Sequence, residues 1–553
     1  VTAEPPFDPW PSSPSFPDFE PTAAGLIRSQ AARHGDTPLV VLDERRLSYA
    51  EVEEQSAELA RGLLAVGVGK GSRVGLLAPN SPDWIIGWLA ATRIGAVAVL
   101  LNTYLKTREL DWVLRHSDIA TLLTVDRHLG HDYLARIEEI APTLADHRGD
   151  GPLLVPPLPF LRSVHVWGET DRPWARSIDE LRTGAGAVGR EMLAAAEAEV
   201  VPADPMVVVY SSGSTAEPKA ALHSQGAVVR HAHNLWQFRD LVAGDVIYTP
   251  MPLFWIGGLS FTLVAALHAG ATLVFEERFD PGATLDLLER ERVTIAIGWP
   301  HMSKALTEHP SFPERDLAVK GGSFDALLPE DQRPADPSLR VNSLGMTETC
   351  GPHLLGVMGC ELPESKRGSF GRSAPGLEHK VVDPVTGDEL PPGRLGELWV
   401  RGYSVMLGLH RHERGEVFTV DGWYPTGDGG WFDEDGHFFF KGRLGEQIKT
   451  SGMNVTPREV ELVIEEMDEV MHAIVLGIPH PEREQDVAAA VVLRPGRHLE
   501  AGEVSARVKA ELSSYKVPRH VATFADQDEL PWLDSGKIDR RGVQTLLEAR
   551  FPS

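Results

Sequence analysis

Short runs of β-branched and apolar residues, each cut off by Gly, Pro or Asn and separated by helical stretches, recur through most of this chain. That alternation constrains the fold more than any other feature. Arg73–Pro79 (RVGLLAP), Ala96–Asn102 (AVAVLLN), Thr121–Asp126 (TLLTVD), Met206–Ser212 (MVVVYSS), Thr272–Glu277 (TLVFEE) and Thr294–Trp299 (TIAIGW) are such runs. Near-continuous apolar strands are buried on both faces, so the pattern predicts an α/β fold of mostly parallel sheets covered by helices. The segment after Leu47 supplies a helical partner. Ser48 and Glu51 have capping-box spacing, and Leu59 and Leu63 fall on one face.

From about Gly422 the texture changes to Gly-, Asp- and aromatic-rich hairpins, with Asp433–Gly436 (DEDG) as a turn. Read as a calcium loop, that tetrapeptide would put the first ligand position on Trp431, so a hairpin is the better reading. Near Arg443 a new unit begins. Thr456, Pro457 and Glu459 combine an N-cap, a first-turn Pro and a capping-box Glu, and the last ~110 residues read as a small α+β domain. A chain of 553 residues is too long for one core. The expected division is a Pro-rich segment at 1–23, a large domain at 24–444 and a small one at 445–553.

The net charge of −26 argues against a nucleic-acid footprint and against adhesion to anionic membranes, although local donors can still bind phosphate. The two cysteines, Cys350 and Cys360, make no disulfide framework and fit a reducing cytoplasm. The N-terminus has no basic region of a signal peptide, and its Pro-rich stretch is expected to drape over the surface or stay disordered. Ile247–Phe275 lacks Asp, Glu, Lys and Arg over a length that could span a bilayer. Its Pro and Gly residues instead break it into strand, loop, buried helix and strand, so no membrane span is expected.

The chemistry concentrates in a few loops. Tyr210–Lys219 (YSSGSTAEPK) follows a buried-looking strand and gathers hydroxyls, a glycine and a lysine. It reads either as a phosphate cradle or as a polar surface loop, and it lacks P-loop spacing. Ser343–Gly351 (SLGMTETCG) puts Thr347 and Glu348 just after a strand, where a carboxylate could hold Mg²⁺ beside phosphate. Tyr424–Phe432 (YPTGDGGWF) offers Asp428 in what reads as a tight turn, suited to ribose hydroxyls. Gly442–Glu461 supplies Arg443 and Lys449, and Leu530–Arg541 puts Lys537 on a Gly turn. Each of these also reads as a solvated turn or surface pair.

In this order and spacing the motifs resemble the acyl-adenylate-forming superfamily of acyl-CoA synthetases, firefly-type luciferases and adenylation domains, from about Ala24 to Arg541. Leu47–Trp84 is similar to the family's opening. The resemblance implies a large N-terminal domain with a small β-barrel-like part and a mobile C-terminal domain that rotates between two half-reactions. It implies ATP, Mg²⁺ and coenzyme A as cofactors. Carried over, Ser211, Ser212, Gly213, Ser214, Thr215 and Lys219 would hold the triphosphate. Gly322 and Ser323 would border adenine and Leu344 would pack on it, with Gly345, Met346 and Thr347 alongside. Glu348 would ligate Mg²⁺, and Asp428 and Arg443 would take the ribose. Lys537 would bridge carboxylate and α-phosphate in the first half-reaction. Lys449 with Ser451, Gly452 and Met453 would replace it and line the pantetheine tunnel, around a hinge at Gly445–Glu446. Phe254, Trp255, Ile256, Gly298, Trp299 and Pro300 would line the acyl site. That lining is apolar and aromatic and lacks the Asp that anchors an α-amine, which favours a hydrophobic, ring-containing acid.

The chain departs from the family pattern at Ala216 and Ala220, where glycines are usual, and at Trp255 in place of a frequent histidine. Leu344 replaces an aromatic, and Gly445 stands at the hinge. An alanine in a glycine-type backbone costs about 1–2 kcal/mol, and a lost aromatic stack roughly 0.5–1.5 kcal/mol. Three functions are therefore expected in competition. The first is a complete acid–CoA ligase converting acid, ATP and CoA to acyl-CoA, AMP and pyrophosphate, with a carrier-protein thiol left open as the acceptor in place of CoA. The second is a ligase weak in adenylation that takes a supplied acyl-adenylate, from a partner adenylating enzyme. The third is a non-catalytic nucleotide- or acyl-binding relative.

Overall fold

The computed structural model describes residues 10–148, 151–211, 218–334, 336–444, 447–531 and 538–552. The described chain divides into two compact units: one built from 1–103, 114–210 and 220–442, the other from 104–113, 211–219 and 443–553.

Unit one carries the parallel sheets that the alternating pattern predicts. A six-stranded sheet runs in the order Gly321–Gly322, Ile295–Ala296, Val246–Tyr248, Thr272–Phe275, Pro38–Leu42 and Arg45–Ser48. All its neighbours pair in parallel except the last, an antiparallel edge. In an eight-stranded sheet, Pro205–Ser211, Val97–Leu100, Arg73–Leu77, Thr121–Val125 and Ser163–Trp167 are successive neighbours, parallel throughout. Val97–Leu100 is buried at every position, as a strand covered on both faces must be. The helix Pro82–Arg93 is capped by Ser81, whose hydroxyl accepts from the Trp84 N–H, and it is buried almost all round. The Ser48–Glu51 capping box forms, with Leu59 and Leu63 facing inward. The helix expected after Tyr248 is present, but its first part, Gly257–Val264, winds as a π-helix before continuing as α-helix over Ala265–Ala269.

Two antiparallel sheets complete the unit. One comprises Leu344–Met346, Gly351–Leu355 and Arg372–Ser373, and the other Leu377–Val382, Gly396–Gly402, Tyr424–Phe432 and Phe438–Arg443. The acidic Asp433–Gly436 segment is the expected hairpin turn. The Asp433 carboxylate accepts from the Asp435 and His437 N–H groups, and Lys366 Nζ reaches it at 2.6 Å. The N-terminal segment lies on this unit from Trp10 onward. Trp10 Nε1 donates to the Ser373 carbonyl at 2.9 Å, and the Ser15 N–H donates to Asn234 at 2.8 Å.

Unit two is an α+β body. Its sheet orders Met453–Val455, Ile448–Thr450, Glu484–Leu493 and Val470–His480, with His520–Phe524 parallel to Glu484–Leu493. Alternation along Val470–His480 sends Ala473 and Val475 into one apolar cluster and Ile474 and Leu476 into another, the period-2 signature of a sheet packed on both faces. Pro457–Glu465 is a helix with Thr456 at the N-cap position, but the predicted capping box is absent: no side-chain cap bond forms. The Glu459 carboxylate is drawn to Lys516 instead, at 2.7 Å, and Lys516 also reaches Glu109 at 2.6 Å within the same unit. Removing the ammonium would leave carboxylates buried without it. Lys516→Met should therefore lower unfolding free energy by about 3–5 kcal/mol, read as a shift of the urea midpoint. An unchanged midpoint would show that the pair holds nothing together.

Candidate nucleotide and acyl site

The parallel strands Val246–Tyr248, Ile295–Ala296 and Gly321–Gly322 are neighbours, so their C-terminal ends open on one edge. That edge is where open α/β sheets bind ligands. The three segments that follow hold most of the predicted acyl and adenine residues. Ser323 is central: its hydroxyl accepts from the Gly298 N–H at 2.9 Å and donates to the Gly298 carbonyl at 2.8 Å. It thereby fixes the two strand ends together. Gly322 has φ +115°, and a Cβ there would meet the Ala296 carbonyl oxygen at 2.0 Å, so only glycine fits. The bare Gly321–Gly322 backbone is a face against which a planar base can lie.

Of the predicted acyl lining, Phe254 and Ile256 are buried while Trp255 and Trp299 stay partly open. The two tryptophans meet edge to face, with centroids 6.3 Å apart and planes at 83°. Phe254 meets Trp255 in the same way at 5.9 Å. Their loop is held by Asn80, whose amide donates to the Met251 carbonyl and accepts from the Leu253 N–H, both at 2.8 Å. Sequence reasoning did not single out Asn80, because its partners lie far along the chain. Pro300 starts a helix, and its side chain lies outside the described part.

Thr347 and Glu348 sit in a single 3-10 turn, Thr347–Thr349, between the strands Leu344–Met346 and Gly351–Leu355. The Thr347 and Glu348 carbonyls of this turn are tied down, as is that of Pro352 on the following strand. His223 Nε2 lies 2.7 Å from the Thr347 oxygen, the Met406 N–H donates to the Glu348 oxygen at 2.8 Å, and His231 Nε2 lies 2.8 Å from the Pro352 oxygen. A carbonyl only accepts, so both histidines donate from Nε2. Burial pushes each of their pKa values down to about 4, which leaves them neutral at pH 7. Cys350 follows with φ +63°, and its sulfur meets Ser260 Oγ of the π-helix at 3.7 Å.

Leu344 is 8% exposed, packed with Leu354, Val381, Leu398 and Phe438, which leaves little of it to meet a base. Met346 packs with Val400, Met406 and Tyr424. Asp428 is not in a tight turn as expected. It lies inside the strand Tyr424–Phe432, 2% exposed, after Gly427 at φ +74°. The positive φ is absorbed as a strand irregularity instead of a chain reversal. Glu348 and Asp428 are both buried carboxylates, 6% and 2% exposed, and carboxylate oxygens are the donor type that Mg²⁺ and ribose hydroxyls take.

In unit two, Ser211 ends one strand and Lys219 begins the next, both half-buried. Lys449 is exposed on the hairpin Ile448–Thr450/Met453–Val455. Its turn residues Ser451 and Gly452 have φ +50° and +77°, as a two-residue type I′ turn requires. Ser212, Gly213, Ser214, Thr215, Ala216, Gly445, Glu446 and Lys537 lie outside the described residues, as does the side chain of Arg443. Ala220 is described, and it corrects an expectation. It lies in the ordinary strand Lys219–Ser224 and is not among the residues with positive φ, so no glycine-type backbone cost arises there.

The family model of the AMP-binding enzyme matches residues 27–410, and that of the AMP-binding enzyme C-terminal domain matches residues 459–537. The chain is an AMP-binding enzyme. An indoleacetate–CoA ligase of Aromatoleum aromaticum is 32% identical over 91% of this chain and 94% of its own length. A feruloyl-CoA synthase of Amycolatopsis is 32% identical over 92% and 94%. Among solved structures, the amide bond synthetase McbA from Marinactinospora thermotolerans superposes with a TM-score of 0.76 at 25% identity, over 95% of this chain and 99% of that one. This AMP-binding enzyme belongs to the acyl-adenylate-forming superfamily, in its acyl-CoA ligase branch, and is an AMP-forming acid–CoA ligase. Among its described residues no helix is long and apolar enough to cross a membrane.

The buried histidines give the AMP-binding enzyme a defined acid sensitivity. Their folded pKa values lie below the ordinary value near 6.5, so below pH 6.5 the unfolded chain binds protons that the folded chain does not. The stability they contribute is complete above that pH and is lost as pH falls toward 4. The loss is about 1.4 kcal/mol per pH unit for each group. A His223→Gln/His231→Gln double variant should flatten the fall of Tm between pH 6.5 and 4. An unchanged slope would refute the assignment. His223→Ala should separately lower acid-dependent ATP–pyrophosphate exchange by about tenfold in kcat, with His223→Gln restoring part of it as a remaining donor to Thr347. Equal activity of the two variants would show that the bond to Thr347 is not what matters.

Proposed function

We propose that this ligase activates a hydrophobic, ring-bearing carboxylic acid with ATP and Mg²⁺ and transfers the acyl group to CoA. The observation that carries this reading is the edge-to-face pair of Trp255 and Trp299, with Trp299 next in sequence to Gly298, which Ser323 clamps. An aromatic wall and the base-flanking backbone thus share one sheet edge, with no carboxylate in the loop to hold an α-amine. The aryl acids named for the indoleacetate and feruloyl ligases agree with it.

In the first step the substrate carboxylate attacks the α-phosphorus and pyrophosphate leaves. Gly322 and Ser323 border the base, Asp428 and Arg443 hold the ribose hydroxyls, and the Ser211–Thr215 loop with Lys219 takes the triphosphate. Mg²⁺, when bound, neutralises charge building on the phosphates. Glu348 and Thr347 would hold it, on a turn whose carbonyls are already committed elsewhere. Lys537 stabilises charge between carboxylate and α-phosphate. In the second step the CoA sulfur attacks the acyl carbonyl and AMP leaves, with Lys449 and the Ser451–Met453 turn in place of Lys537. That exchange needs the C-terminal domain, from about 445, to turn about Gly445–Glu446.

The second reading, a ligase weak in adenylation, is supported by Leu344, whose side chain is mostly spent on the core. Ala220 no longer favours it. One paired assay separates the readings. Acid-dependent ATP–pyrophosphate exchange is measured with aryl acids and with amino acids, alongside acyl-CoA formation from a synthetic acyl-adenylate. We expect exchange with aryl acids only, at a rate matching overall turnover. Thioester formation from the adenylate without exchange would establish the second reading, and failure of both reactions would leave a binding protein. Trp255→Ala should raise KM for an aryl acid by about tenfold or more, with CoA KM unchanged. An equal rise in both would remove Trp255 from the acyl wall.

A further inference from the structure

Arg239 ends the short helical turn Trp236–Arg239 and is 4% exposed. Its guanidinium lies 4.2 Å from the ring centroid of Phe261, and its Nη1 donates to the Phe261 carbonyl. The other two nitrogens, Nε and Nη2, are buried and meet no acceptor among the described residues. Those two N–H groups point along one edge of the planar guanidinium, the fork that takes both oxygens of a carboxylate. Burial pushes its pKa down to about 10, with no acidic neighbour opposing the shift, so it is still a cation at neutral pH. A buried cation with one carbonyl acceptor, no counter-ion among the described residues and two unsatisfied nitrogens is unfavourable by itself.

The location of this half-used cation supplies the rest. Phe261 belongs to the π-helix that continues directly from the Trp255 loop, about one helical turn (~5 Å) further on. The preceding residue, Ser260, meets Cys350 next to the Thr347–Thr349 turn. Phe238, beside Arg239, accepts from the Met358 N–H at 2.8 Å and packs against Leu355, at the far end of the strand that starts at Gly351. Arg239 is therefore set back from the Glu348 turn by about one short strand, on the order of 13 Å. That separation suits the body of an acid whose carboxyl is activated near Glu348.

We propose that Arg239 determines specificity at the far end of the acyl site. The substrate is a dicarboxylic acid whose apolar body runs along the Trp255–Phe261 wall and whose second carboxylate occupies the Nε–Nη2 edge. This deepens the acid–CoA ligase reading above and rests on it. The two can nevertheless fail separately.

The enzyme is assayed by ATP–pyrophosphate exchange with matched acids sharing one body long enough to span that separation: the linear biphenyl dicarboxylate with biphenyl monocarboxylate, and dodecanedioate with dodecanoate. Binding of each acid is measured by calorimetry. The diacid should be favoured in at least one pair by about tenfold or more in kcat/KM. Arg239→Met should cut that diacid-to-monoacid ratio by about a hundredfold, and Arg239→Lys should fall between. No diacid preference in either pair overturns the proposal, and so does an Arg239→Met variant that lowers both members of a pair equally, which marks the guanidinium as structural. If Arg239→Met does not fold, Arg239→Lys and the binding of the wild-type protein decide. Diacids that bind no more tightly than their monoacid partners overturn the proposal. Tight diacid binding without exchange leaves Arg239 in place and refutes the ligase reading.

Discussion

Two uncharged histidines hold the turn on which the candidate chemistry stands. His223 and His231 come from a buried strand and the helix that follows it, and each donates to a carbonyl on one side or the other of Glu348. A charged imidazole could not be kept in that apolar setting without a partner. Burial keeps the rings neutral and the carbonyl facing each Nε2 fixes the tautomer, so they act as fixed donors. The result is a carboxylate on a backbone that needs no ligand to stay in shape, which is the preorganisation that electrostatic catalysis calls for.

From that turn the site builds outward through one shared element. The π-helix Gly257–Val264 touches the turn through Ser260 and Cys350 and continues the loop that carries Trp255. It also bears the ring and carbonyl that hold Arg239. On the other side, Ser323 ties the end of the Gly321–Gly322 strand, the proposed base-flanking edge, to Gly298 and so to Trp299. A parallel sheet edge and an antiparallel turn, formed by sequence segments far apart, thus converge on one wall.

What the sequence disclosed follows from how local each signal is. The buried parallel strands were legible because burial on both faces leaves an uninterrupted apolar run, and the Ser48–Glu51 cap because both partners sit three residues apart. Asp428 was misread because Gly-Asp-Gly spells a turn, whereas Gly427 takes its positive φ inside a continuous strand. Thr456 and Glu459 have ideal cap spacing, yet Lys516, 57 residues away, claims the carboxylate. Asn80 and His223 act through bonds to residues 171 and 124 positions away, and the role proposed for Arg239 rests on an edge that no described residue fills. No local pattern announces such partners.

The π-helix has one more consequence. Each of its turns carries more residues than an α-turn, with bonds reaching i+5 instead of i+4. Losing a single residue from Gly257–Val264 would let the segment rewind as α-helix and swing Phe261 by about 100°, while the α-helix Ala265–Ala269 beyond it kept its register. The depth of the proposed acyl wall is therefore a length polymorphism in waiting, open to change by one codon deleted, without any rebuilding of the sheet that supports it.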